Sequence, residues 1–170
     1  MPSAAVEACL RAMTQAIMEK FLADEAQTLG LGAALAARLV AGDFLALHGD
    51  LGAGKTTLAR GLIQAFVGER CEVPSPTFTL VQTYQQASKG GAGLDLFHFD
   101  LYRLEDADEV WELGWEDIGA GIALVEWPQR ALPHLPDNRL DIHLTFAEGG
   151  RQAHFSAKAH TSWKERLRGV

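Results

Sequence analysis

The stretch Gly49-Asp50-Leu51-Gly52-Ala53-Gly54-Lys55-Thr56, followed by Thr57, limits what this chain can fold into more than any other. It fits the phosphate-loop pattern of Gly, four residues, Gly-Lys and Ser/Thr. Its flanks fit as well. The apolar run from Phe44 to His48 reads as a buried strand entering the loop. Leu58, Leu62, Ala65 and Phe66 recur at helical spacing after it, and Gly68 stands where that helix would stop. Glycines allow a tight turn that points several backbone N–H groups into one concavity, and the positive end of the following helix faces the same spot. Lys55 would reach the β- and γ-phosphates, and the Thr56 hydroxyl would complete a Mg²⁺ shell. A nucleotide-phosphate site is therefore expected here, with backbone and side chains of Asp50, Leu51, Gly52, Ala53, Gly54, Lys55, Thr56 and Thr57 around the phosphates.

The rest of the chain reads as one α/β domain. At 170 residues, with 48% apolar and 22% charged side chains, it is long enough to bury a core. Residues 1–20 are Ala-rich and carry no chemistry, so they are set aside as an accessory or disordered extension before a single domain over 21–170. Asp24 and Glu25 open a helix with Leu31, Leu35 and Leu39, closed at Gly42. Leu80 to Tyr84 and Leu94 to Asp100 read as strands, Asp106 to Asp117 as an acidic helix, and Ile122 to Val125 as a second buried strand. Leu140, Ile142, Leu144 and Phe146 alternate with polar residues, Glu148-Gly149-Gly150 turns, and Arg151 to Ala157 returns as the second arm of a hairpin. Ser162 to Arg168 reads as a closing helix.

Composition removes several classes of function. No apolar run approaches the ~20 residues needed to span a bilayer. The formal net charge of −7 argues against unaided nucleic-acid binding, which requires cations to neutralise phosphates. Cys9 and Cys71 are far apart, with no CxxC, which points to a reducing cytoplasm and away from metal binding by cysteine.

Two acids follow apolar strands, Asp100 and Glu126. A phosphate loop requires a metal-holding carboxylate at the end of a neighbouring strand. Glu126 follows the purer buried run and is assigned to Mg²⁺; Asp100 would then orient or deprotonate the attacking water. Ser75-Pro76-Thr77-Phe78-Thr79 lies after the phosphate-loop helix, where γ-phosphate-sensing loops often sit, so Ser75, Thr77 and Thr79 are candidates for a switch-like loop. His98 is expected to pack or hydrogen-bond within its sheet.

Four segments, taken together, resemble the TsaE family. They are the phosphate loop, Ser75-Pro76-Thr77-Phe78-Thr79-Leu80, His98-Phe99-Asp100-Leu101-Tyr102-Arg103-Leu104, and Val125-Glu126-Trp127-Pro128. The resemblance covers about residues 21–160. It implies a P-loop NTPase-like three-layer fold whose central sheet mixes parallel and antiparallel strands. It also implies weak, partner-dependent ATP hydrolysis supporting TsaD and TsaB as they modify adenosine 37 of tRNAs reading ANN codons. ATP and Mg²⁺ are the implied cofactors, and tRNA is met only through the complex. In the family pattern Lys55 contacts phosphate, Thr56 and Glu126 hold Mg²⁺, and Asp100 is catalytic. Trp127 lies beside the nucleotide, and Glu25 and Arg151 match positions that contact ATP.

Three rival readings remain at this level. A small-molecule kinase would close an Arg-rich lid over the phosphoryl group, whereas Arg60, Arg70 and Arg103 are scattered. A GTPase switch would carry Asn-Lys-x-Asp, which is missing from the sequence. A pure binding module leaves Asp100 and Glu126 unexplained.

Overall fold

The computed structural model of the chain describes residues 14–68, 72–74, 76, 79–86, 93–158 and 161–170. In chain order the elements are β1 (Thr14–Leu22), α1 (Glu25–Ala36), β2 (Phe44–His48), α2 (Lys55–Val67), β3 (Val81–Gln85), β4 (Asp95–Asp100), β5 (Ile122–Glu126), β6 (Leu140–Ala147), β7 (Gly150–Lys158) and α3 (Trp163–Arg166). The strands form one sheet in the order β1-β7-β6-β2-β5-β4-β3. Its centre is parallel, with β2 between β5 and β6 and β4 beyond β5. The hairpin partners and both edges are antiparallel. Uniformly apolar runs end up in the middle, where both faces are covered, and alternating runs form the hairpin. This is the expected mixed-sheet α/β fold.

One face of the sheet packs Leu45, Leu47, Leu124 and Ile142 against Leu31, Leu35, Leu58 and Leu62 of α1 and α2. The other face packs Phe44, Phe99 and Val125 against Trp115, whose ring meets Phe44 and Phe99 edge-on at 5.6 and 5.1 Å. Three corrections to the sequence reading arise in these layers. The segment 106–117 is not one helix but two 3-10 turns, Ala107–Leu113 and Trp115–Ala120, divided by Gly114 at φ 77°. Helix α1 stops at Ala36, because Arg38 and Leu39 donate back to Leu35 and Ala36 in tighter i→i−3 bonds. The domain boundary at residue 21 falls inside β1, whose residues 14–22 pair with β7. β1 pairs with the outer side of β7, so part of the presumed extension belongs to the sheet. Residues 1–13 lie outside the described residues.

Helices α1 and α2 touch backbone to backbone. A Cβ on Gly61 would lie 2.2 Å from the Leu29 carbonyl oxygen, and one on Gly32 would lie 2.3 Å from that of Leu58. Gly30, on the same helix as Gly32, has nothing within 4 Å. Alanine at Gly30 is therefore expected to stabilise by up to ~1 kcal/mol through helix propensity. Alanine at Gly61 is expected to lose a net ~1–2 kcal/mol, because overpacking outweighs the same propensity gain. Thermal melts of the two variants should move in opposite directions, by about 2–6 °C each.

Candidate functional site

β2 delivers the chain into the loop at the carboxyl end of the parallel strands, where α/β sheets place their ligands. Gly49 (φ 141°) passes so close to β6 that a Cβ there would sit 2.4 Å from the Leu144 carbonyl oxygen. Gly54, left-handed at φ 107°, precedes α2 and supplies no side-chain cap. The first N–H groups of α2 therefore have no side-chain acceptor at this cap, and the positive end of the helix faces the loop. Among the loop residues, Ala53 is buried, while Leu51 is 79% exposed at the tip.

Lys55 is held inside this turn. Its Nζ donates to the carbonyl oxygens of Gly49 (2.7 Å) and Asp50 (2.9 Å) and lies 4.0 Å from the centre of the Trp127 ring. Burial pushes the Lys55 ammonium below its usual pKa, and the carboxylates of Glu126, Asp100 and Asp50 push back without cancelling that fall. Trp127 can take this position because the chain turns left-handed at φ 58° directly after β5. Tyr102 lies beside it at 4.9 Å.

The two acids stand side by side. Asp100 and Glu126 are paired residues at the ends of β4 and β5, and both are buried. The Thr56 hydroxyl donates to Glu126 Oε2 at 2.9 Å. Asp100 Oδ1 accepts from the Tyr102 backbone N–H at 3.1 Å. Of the expected switch-like loop, Ser75 and Thr77 lie outside the described residues. Thr79 is exposed and precedes Leu80, a left-handed residue (φ 62°) whose carbonyl accepts from the Asp100 backbone N–H.

On the other side of the loop is a cavity of about 330 Å³, within the range of small-molecule sites. Leu22, Ala23, Asp24, Glu25, Thr28, Gly52, Gly54, Thr57, Gly150 and Arg151 line it. The chain thus brings Glu25, from the start of α1, and Arg151, from the start of β7, to one pocket beside the loop. Arg151 lies 4.5 Å over the Phe146 ring and donates to the Gly52 carbonyl at 3.4 Å. Glu25 is 3.6 Å from Arg60.

The donor set is one of hard oxygens: a hydroxyl and two carboxylates beside a helix N-terminus. Among the described residues no three His, Cys, Asp or Glu side chains gather as a metal cage. Mg²⁺ is commonly held by one or two carboxylates together with substrate phosphates rather than by a protein cage. The residues fit a magnesium–polyphosphate group. His98 hydrogen-bonds within its sheet, as the sequence led one to expect, and its partner is the site carboxylate Glu126. The His98 Nε2 lies 2.9 Å from Glu126 Oε1, with the ring fully buried. The parity of β4 carries that signal, since His98 and Asp100 are two apart and so share a face.

The sheet order and the glycine loop define an α/β protein of the P-loop NTPase-like fold class. Three comparisons refine this. The family model "Threonylcarbamoyl adenosine biosynthesis protein TsaE" matches residues 22–153. A tRNA threonylcarbamoyladenosine biosynthesis protein TsaE of Nostoc sp. is 42% identical over 139 residues, covering 78% of this chain and 82% of the relative. The TsaE of Haemophilus influenzae is 38% identical over 116 residues, covering 67% and 70%. The crystal structure of Bacillus subtilis YdiB superposes with a TM-score of 0.70 at 29% identity, covering 92% of this chain and 97% of that one. The chain belongs to the TsaE family. No helix among the described residues is long and apolar enough to cross a membrane.

Proposed function

We propose that the chain is a Mg²⁺-dependent ATPase supporting TsaD and TsaB in the threonylcarbamoyl modification of adenosine 37 in tRNAs reading ANN codons. The observation that carries this reading is the 2.9 Å hydrogen bond from Thr56 to Glu126, made beside Lys55 and with Asp100 as the paired residue on the next strand. A hydroxyl and two acids around one phosphate loop support a reading in which the first acid and the hydroxyl take the metal and the second acid takes the water.

The roles follow from chemistry. Backbone N–H groups of residues 50–57 and the Lys55 ammonium bind the β- and γ-phosphates. Thr56 and Glu126 hold Mg²⁺, which when bound neutralises charge on the phosphoryl oxygens. Asp100 positions the attacking water and accepts its proton. Trp127 covers Lys55 and excludes solvent from it. Glu25 and Arg151 contact the nucleoside end in the cavity across the loop, and Ser75, Thr77 and Thr79 respond to the γ-phosphate.

Partner dependence follows from charge. In other phosphate-loop proteins a cation supplied in trans is worth about 10³–10⁵ in rate. Here the charged groups acting on Lys55 are the acids Glu126, Asp100 and Asp50. A chain of net charge −7 does not hold tRNA by itself, so tRNA is reached through the complex. The test measures tRNA binding and ATP turnover for the isolated cytoplasmic protein, then with TsaD and TsaB. Slow turnover that the partners raise, with no tight tRNA binding alone, is expected. Tight tRNA binding alone, or turnover indifferent to the partners, would count against the proposal.

A further inference from the structure

We propose that His98 is a positioning residue that fixes the Glu126 carboxylate for its metal, donating a hydrogen bond from Nε2–H to Oε1; this rests on the assignment of Glu126 to Mg²⁺.

The inference starts from the geometry of one buried carboxylate. Glu126 is 1% exposed, and its two oxygens are divided between two donors. Thr56 serves Oε2 and His98 serves Oε1, each at 2.9 Å. An ionised carboxylate has about four acceptor sites and a broad terminal torsion, so a single donor would leave its plane free to turn. Two donors on opposite oxygens hold that plane. They also leave each oxygen with a further lone pair, and Oε2 is the oxygen on the Thr56 side, where the metal is assigned.

The position of the proton follows from the same set of contacts. Glu126 receives the Thr56 hydroxyl, which identifies it as an acceptor. A carboxylate that holds Mg²⁺ is ionised and accepts at both oxygens, so in that state the hydrogen between Glu126 and His98 belongs to the imidazole. The other ring nitrogen, Nδ1, is buried and has no hydrogen-bond partner among the described residues. Nothing on that side orients the ring through a competing bond. His98 is fully buried on β4, beside Leu124 of β5, so its contact with Glu126 is its polar attachment in the sheet. A buried histidine serving only the core would be replaceable by an apolar side chain of similar size. This one, if replaced so, leaves a buried carboxylate oxygen without its donor.

Partners that orient a metal-ligating carboxylate are worth about 10–100-fold in metal affinity or activity. His98→Leu removes the donor with little change in apolar volume. His98→Gln keeps an N–H donor near the position of Nε2. Calorimetry should follow ATP binding while Mg²⁺ is varied, for the full chain and both variants. The expected result is that His98→Leu raises the Mg²⁺ concentration needed for half-maximal binding by about 10–100-fold, leaving ATP affinity in chelator unchanged. His98→Gln should recover most of that loss, which a purely structural histidine would not show.

Two outcomes separate this proposal from the reading beneath it. If the natural chain shows no Mg²⁺ dependence in ATP binding, the metal assignment itself fails. If the natural chain shows it and a folded His98→Leu matches it, only the role of His98 fails. A measurement on the unaltered protein guards against variants that do not fold. Long-range ¹H–¹⁵N correlation on the Mg²⁺–ATP complex should find the His98 ring donating through Nε2–H to Glu126; a ring with its hydrogen on Nδ1 would overturn the proposal.

Discussion

Lys55→Met is expected to weaken ATP binding by about 100-fold, or ~3 kcal/mol, while the melting temperature stays within about 4 °C. The affinity loss corresponds to charge-assisted hydrogen bonds from the ammonium to the β- and γ-phosphates. Stability should hold because two terms oppose each other. Methionine gives up the bonds from Nζ to the Gly49 and Asp50 carbonyls, but it also relieves the burial that depresses the Lys55 pKa. The desolvation of a buried ion costs several kcal/mol, comparable to what those bonds return. Methionine keeps an unbranched stem beneath the Trp127 ring, which alanine would not. Calorimetry and a thermal melt on the same preparation check both halves.

The second large effect separates the two acids. Asp100→Asn should retain Mg²⁺–ATP binding and lose about 10²–10⁴ in hydrolysis, since an amide fills the same space without accepting a proton. Glu126→Gln should instead erode the Mg²⁺ dependence of binding. The donors His98 and Thr56 both point at Glu126, and a glutamine amide offers an acceptor to only one of them. Single-turnover hydrolysis alongside binding titrations distinguishes the two; a reversed pattern would exchange the roles of the acids.

The placing of these acids at strand ends was legible in the sequence because each follows an apolar run. The loop was legible for a similar reason, since strand, glycines and helix periodicity all pointed to one turn. What could not be read was how separate segments meet. No local pattern says that Asp100 and Glu126 are paired neighbours, because strand order is set by crossover connections distant in sequence. The contact between His98 and Glu126 depends on the same pairing. Strand β1 was missed because Thr14–Leu22 is an edge strand of mixed polarity, without the clean alternation of the hairpin that it joins. The acidic segment 106–117 carried helical spacing, yet Gly114 adopts a left-handed turn that its spacing does not announce. Glu25 and Arg151 came only from family resemblance. Their meeting in one cavity is a product of β1 and the hairpin closing beside the loop.

The most direct test of a magnesium–ATP site built on Lys55, Thr56 and Glu126 is a calorimetric titration of the full chain with ATP, in saturating Mg²⁺ and in chelator. Both carboxylates are buried and act on the Lys55 ammonium, so a divalent cation adds the positive charge that a polyphosphate beside two acids requires. Binding at least about tenfold tighter with Mg²⁺ is predicted, a difference of ~1.4 kcal/mol. Equal affinity in the two conditions, or no ATP binding in either, would contradict the account.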